Sequence, residues 1–164
     1  MKRFRNSRTE SFVKSIPEKG VESDGENLST RCKFNFHYFQ PQPPGQAWVD
    51  WSHADLAKLL NKLQIYSENS LKYWENEHSG ASGRVLSVYD SFPTKSDFCH
   101  PKAVPHDVRW ARFRLEQKVR LVGFVVPSAL DGRAHPTNHK SFCSNTFYVV
   151  FLDKDHRFYV SERA

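Results

Sequence analysis

Arg109-Trp110-Ala111-Arg112-Phe113-Arg114-Leu115 decides the fold, because charged and apolar residues alternate along it with a period of two. Successive side chains of a β-strand point to opposite faces, so Ala111, Phe113 and Leu115 are expected on a buried face and Trp110, Arg112 and Arg114 on the outer one. The tight connection Glu116-Gln117-Lys118 leads into a second strand over 119–126. Further on, Phe147-Tyr148-Val149-Val150-Phe151-Leu152 reads as another strand, ending in the turn Asp153-Lys154-Asp155-His156 before Arg157-Phe158-Tyr159-Val160 extends again. A sheet of such strands shows a row of guanidinium groups to solvent. Arg rows beside aromatics suit a phosphate backbone and its bases, which makes RNA or DNA the first partner to expect. The plain alternative is the solvated outer face that antiparallel sheets commonly carry.

The chain has 164 residues, is 38% hydrophobic and carries a formal charge of +6 with a pI near 9.3. That length supports one core of ordinary size. Mild basicity alone says little about partners. Its distribution says more: residues 109–120 hold Arg109, Arg112, Arg114, Lys118 and Arg120 against the single acid Glu116, which is expected to relieve part of the repulsion across the hairpin. Three cysteines, Cys32, Cys99 and Cys143, are too few and oddly numbered for a disulfide framework. With no run approaching the ~18 apolar residues of a membrane helix, the expectation is a cytoplasmic protein that does not engage membranes.

Residues 1–31 are polar and lack apolar periodicity, so they read as a disordered arm, basic at its tip and acidic over 18–26, ahead of a single domain over 32–164. Phe34, Phe36 and Tyr38 alternate and predict a strand over 33–39, closed by the proline-rich stretch 40–45. Ser52 and Asp55 form a capping-box-like helix start, and Leu56, Leu59, Leu60 and Leu63 make one buried stripe behind it. Leu71, Tyr73 and Trp74 begin a second short helix that folds back as an αα-hairpin. A strand over 84–89 follows, then two long loops, 90–107 and 127–145. Loops beyond ~12–15 residues are often functional or disordered. The resulting class is α+β: an N-terminal strand, an αα-hairpin, then an antiparallel sheet of four to five strands with helices on one face and function on the other.

Arg112, Arg114 and Arg120 are the leading site residues, since guanidiniums on adjacent strands can bind phosphates or stabilise the transition state of phosphodiester cleavage. His156, flanked by Asp153 and Asp155, is the candidate general acid or base, with an acid to orient it and with Tyr148 or Tyr159 beside it. Arg109, Trp110, Lys118 and Arg157 complete the candidate nucleic-acid surface. The bland reading of Asp-Lys-Asp-His is an ordinary polar turn. His100 and His106 in the long loop are alternative bases. His135, His139 and Cys143 recur at intervals of four, but Pro136, Thr137, Asn138 and Ser141 oppose the helix that would align them, so neither a metal nor another cofactor is expected. Glycine-rich phosphate loops and G-x-S-x-G elbows are absent from the sequence.

In element order the chain resembles the RelE/ParE-like toxins of bacterial toxin-antitoxin systems. The resemblance rests on Leu59-Leu60-Asn61-Lys62-Leu63, the strand pair Arg112-Phe113-Arg114-Leu115 and Val119-Arg120-Leu121-Val122-Gly123-Phe124, and the ending from Tyr148 to Tyr159. It implies metal-independent cleavage of RNA, often ribosome-associated mRNA, by basic and aromatic side chains, and neutralisation by an antitoxin protein that covers the basic face. The arm and the two long loops depart from that pattern. The expectation is therefore a toxin-like endoribonuclease of a toxin-antitoxin or phage-defence system, with Arg112, Arg114, Tyr148 and His156 catalytic. Two alternatives stand beside it: a non-catalytic nucleic-acid-binding module, and a protein-interaction subunit of a bacterial defence or regulatory complex.

Overall fold

The computed structural model describes residues 7–15, 28–81 and 83–160. Within the arm expected over 1–31 it places a helix, α1 (Ser7–Ser15), and a 3-10 turn (Leu28–Thr30); the rest of the arm lies outside the described residues. The domain then runs β1 (Lys33–Asn35), α2 (His53–Tyr66), α3 (Leu71–Asn76), a small ribbon of β2 (His78–Ser79) and β3 (Gly83–Arg84), β4 (Leu86–Tyr89), β5 (Arg109–Arg114), β6 (Arg120–Val125) and β7 (Thr146–Asp153). The fold is α+β. Strands β4 to β7 pair antiparallel in sequence order, and β1 adds to β7 in parallel at the far edge, giving the order β1-β7-β6-β5-β4.

Both main helices start where the sequence places them. Ser52 Oγ accepts the Asp55 N–H at 3.1 Å and Ser70 Oγ accepts the Tyr73 N–H at 3.1 Å, each satisfying a donor that the first helical turn leaves unpaired. The α2 stripe is shifted from expectation: Leu59, Leu63 and Tyr66 are buried while Leu60 is 64% exposed. Positions 59, 63 and 66 follow the helical period across the sheet-facing side, and Leu60 lies one residue off it. The helices meet at Tyr66 and Trp74, whose indole N–H donates to the Tyr66 carbonyl at 2.7 Å. Together they pack against Leu86, Ala111, Phe113, Leu121, Phe147 and Val149 on one face of the sheet.

Strand β1 is shorter than its alternation predicts. The Asn35 side-chain oxygen accepts the His37 N–H at 2.9 Å, and Phe39 N–H donates to the Phe36 carbonyl at 3.0 Å, so a local turn replaces the strand and leaves Phe36 exposed. Residues 157–160 likewise form no strand. Asp97 N–H donates to the Arg157 carbonyl at 3.1 Å and Val160 N–H to the Lys95 carbonyl at 3.0 Å, which ties this tail to the 90–107 loop.

The opposite face of the sheet is not the open surface that polar-out alternation suggests. Trp110, Val122, Phe124, Val150 and Phe151 point into a second core, closed by Phe98, Val104 and Val108 of the long loop region and by Phe158 of the tail. Trp110, 1% exposed, stands at its centre. The 90–107 loop is thus a packed cover. What stays uncovered on this face is the end occupied by the arginines.

Candidate phosphate-binding site

Arg112 and Arg114 of β5 share that face with Arg120 of β6, and Arg114 stands directly opposite Arg120 in the ladder. Ser87 of β4 is the cross-strand neighbour of Arg112. With Gly83 and Arg84 of β3, these residues line a depression of about 190 Å³. Among the described residues, no carboxylate lies within ion-pair distance of any of these four guanidiniums. Like charges directly opposite one another destabilise a sheet; Asp153 of β7, the other cross-strand neighbour of Arg120, relieves part of this, and the guanidiniums need further acceptors besides.

Backbone carbonyls supply them. Arg120, 6% exposed, donates to the carbonyls of Glu116, Gln117 and Val119 at 2.9–3.0 Å and so caps the β5–β6 turn from within. Burial, then Arg112 and Arg114, lower its pKa to about 10, which leaves it charged at neutral pH. Arg114 donates through Nη1 to the Ser79 carbonyl at 2.7 Å. Glycine at 83 makes room for it: a Cβ there would fall 2.7 Å from Arg114 Nη1. Glu116 corrects an expectation, because its carboxylate turns away to Lys58 of α2 at 3.4 Å and only its backbone oxygen serves the cluster.

Arg112 extends the site toward the tail. Its guanidinium lies 5.9 Å from the Tyr89 ring centroid and 6.0 Å from that of Tyr159, and the two rings stack at 5.4 Å and 12°. Its Nη1 donates to His156 Nε2. Burial, followed by Arg112, Arg120 and Arg114, lowers the His156 pKa to about 4, so the ring is neutral at pH 7 and Nε2 is an acceptor.

His156 reaches this position through a turn written by Asp153. The buried Asp153 carboxylate accepts the backbone N–H groups of Asp155, Arg157 and Phe158 at 3.3, 3.0 and 2.9 Å. Those bonds wrap the chain so that His156 adopts φ +60°, the left-handed region that non-glycine residues seldom occupy. The expected acid partner therefore acts through the backbone, while Asp155 is exposed.

The other predicted site residues are elsewhere. Tyr148 stacks on Phe124 at 4.9 Å and meets Tyr38, at the end of the face away from the arginines. Trp110 is enclosed in the second core and has no free ring face to offer a base. Arg109 falls on the helix-side face, near Asp90 at 3.7 Å, because it differs in parity from Arg112. Arg157 is ion-paired with Asp97. Lys118 is exposed at the hairpin turn beside Arg120.

His100 and His106 stack on each other at 4.4 Å near Trp110, and burial chiefly lowers the His100 pKa. His135 and His139 share a turn, with His139 N–H donating to the His135 carbonyl at 2.9 Å, and Cys143 Sγ instead accepts from Lys33 at 3.6 Å. Among the described residues no three His, Cys, Asp or Glu are grouped to hold a metal, and no helix is long and apolar enough to cross a membrane.

Sequence reasoning missed Arg84, Ser87 and Tyr89 as site residues. The parity of β4 against β5 signals Ser87 and Tyr89, since residues paired with Arg112 and Trp110 share their face. Nothing local signals Arg84, which sits in a two-residue strand. No family model, curated protein or solved structure matches this chain, so the chemistry of the site has to be read from its own residues.

Proposed function

We propose that this depression binds the phosphate of an RNA strand and that the protein is a toxin-like endoribonuclease that cleaves there. The single observation that carries the reading is the convergence of Arg84, Arg112, Arg114 and Arg120 on one small depression where, among the described residues, none is in ion-pair contact with a carboxylate and the one acid acting on the cluster is Asp153, across the ladder from Arg120. Four guanidiniums against that one carboxylate leave an excess of positive charge that a bound anion would offset. Guanidinium forks match phosphate oxygens in pairs and stabilise the extra charge of a pentacoordinate transition state.

His156 supplies a base within the same cluster. In the free protein its Nε2 accepts an N–H from Arg112. A bound phosphate competes for that N–H and leaves Nε2 open to a ribose 2′-hydroxyl. RNA carries this nucleophile beside each phosphate. The 2′-oxygen attacks phosphorus as its proton passes to Nε2, the P–O5′ bond breaks, and the 5′-oxygen leaves with a proton from solvent, giving a 2′,3′-cyclic phosphate and a 5′-hydroxyl. The low basicity of His156 limits the free protein, and phosphate charge offsets the guanidiniums that depress it. The resemblance to RelE/ParE-like toxins agrees with this chemistry, an antitoxin protein would be the partner that covers the cluster, and the bacterial cytoplasm is where both act.

The test is cleavage of a labelled single-stranded RNA by the full chain. His156→Ala and Arg114→Ala should each lower the rate by about 100-fold or more, with Arg114→Ala also weakening binding. A 2′-deoxy substitution at the cleaved nucleotide should abolish the reaction. Binding that persists without cleavage would favour the non-catalytic module, and absence of both would end the reading.

A further inference from the structure

Resting on the phosphate reading of the arginine cluster, we infer that Tyr159, backed by Tyr89, is a stacking platform for a nucleobase, so that the site takes unpaired RNA and rejects duplex. Tyr159 is 37% exposed, and Tyr89 is paired across the ladder with the buried Trp110. The two tyrosine rings lie nearly parallel, 12° apart with centroids at 5.4 Å, and Arg112 stands about equally far from both. One face of Tyr159 is thereby supported from within.

This arrangement differs from the buried aromatic contacts of the second core, and it lies beside the arginines, whereas the Tyr148–Phe124 stack lies at the other end of the face. Trp110, Phe124, Phe151 and Phe158 pack inward and complete the second core. Tyr159 is instead among the exposed large side chains, two residues past Arg157, which the Asp97 ion pair anchors, and next to the fully buried Phe158. Anchored neighbours hold the ring in place, which lowers the ordering cost when a base stacks on it. Arg112 lies between the ring pair and the remaining arginines, about 6 Å from either tyrosine centroid. A nucleotide whose phosphate meets Arg112 therefore carries its base within reach of Tyr159. Bases in a duplex are stacked on each other and present no free face, so only a single strand can make both contacts.

The experiment measures binding of the full chain, with cleavage blocked by 2′-deoxy substitution, to a fluorescent single-stranded 10-mer, to its duplex and to inorganic polyphosphate, which has charge but no bases. Tyr159→Ala should weaken the single strand by about 5- to 100-fold and leave polyphosphate unchanged, Tyr159→Trp should retain wild-type affinity, and the duplex should bind more weakly than the single strand. Unchanged single-strand affinity in Tyr159→Ala, an equal loss for polyphosphate, or duplex binding as tight as single-strand binding would overturn the platform. Arg114→Ala separates the two levels. If it weakens both single strand and polyphosphate while Tyr159→Ala weakens neither, the platform fails and the phosphate site stands; if Arg114→Ala changes neither, the phosphate site itself fails and the platform with it.

Discussion

His156 is the histidine of the proposed site, and its protonation links that site to folding. Its folded pKa is about 4 because of burial and three guanidiniums, against about 6.5 in the unfolded chain. Between these values the unfolded state binds more protons than the folded one, so stability rises with pH. The contribution is fully present above pH 6.5 and is lost as pH falls toward 4. His100, also shifted downward by burial, adds a slope of the same sign, so the wild type must be compared with His156→Gln. Denaturant unfolding at pH 7 and pH 4.5 should show the wild type losing about 1 kcal/mol more than His156→Gln over that interval, less than the full shift would give because solvent reaches the half-buried ring and screens it. Equal losses would mean that neither burial nor the arginines shift this ring. The residue was legible as a site candidate from Asp153-Lys154-Asp155-His156, but the device that aims it was not. A single buried carboxylate collecting three backbone N–H groups leaves no periodic trace in sequence.

Elements whose instructions are local could be read directly, and those held by distant contacts could not. Ser52 and Ser70 cap helices through their own next turn, and β5 announces its faces by alternation. The 90–107 loop carries no such signal, because Phe92, Phe98 and Val104 are spaced by the shape of the surface they cover. For the same reason Trp110 reads as an outward residue until its cover is known: parity gives the face of a strand, not what lies on it. Phe98 stacks on Phe151 with centroids 4.6 Å apart and is 4% exposed, so it carries much of the attachment of this loop. Phe98→Ala should destabilise the domain by about 3–5 kcal/mol. Limited proteolysis of the folded variant should cut within 90–107 well before the wild type is cut there. A variant with wild-type stability and protease resistance would show that the loop is held by its backbone bonds instead.

At the scale of the whole molecule, the proposed nucleic-acid affinity would come either from overall charge or from one site. The net charge of +6 is spread over 24 basic and 18 acidic residues, and charges farther apart than about 8–10 Å are largely screened at physiological salt. Four arginines around one depression escape that averaging, because a strand bound there would release counterions where its phosphates meet fixed guanidiniums. Three to four such contacts predict that log affinity for single-stranded RNA falls against log salt with a slope of roughly −2 to −3, at about −0.7 per contact. Removing charge from the cluster and from the helix side should then differ. Arg114→Ala should make the slope shallower by about 0.7, while Lys72→Ala, which removes the same unit charge from an exposed position paired with Glu75 on α3, should leave it unchanged. Filter binding from 50 to 300 mM salt distinguishes the two. If both variants shift the slope alike, the protein attracts RNA through its summed field and the clustered arginines have no special part in binding.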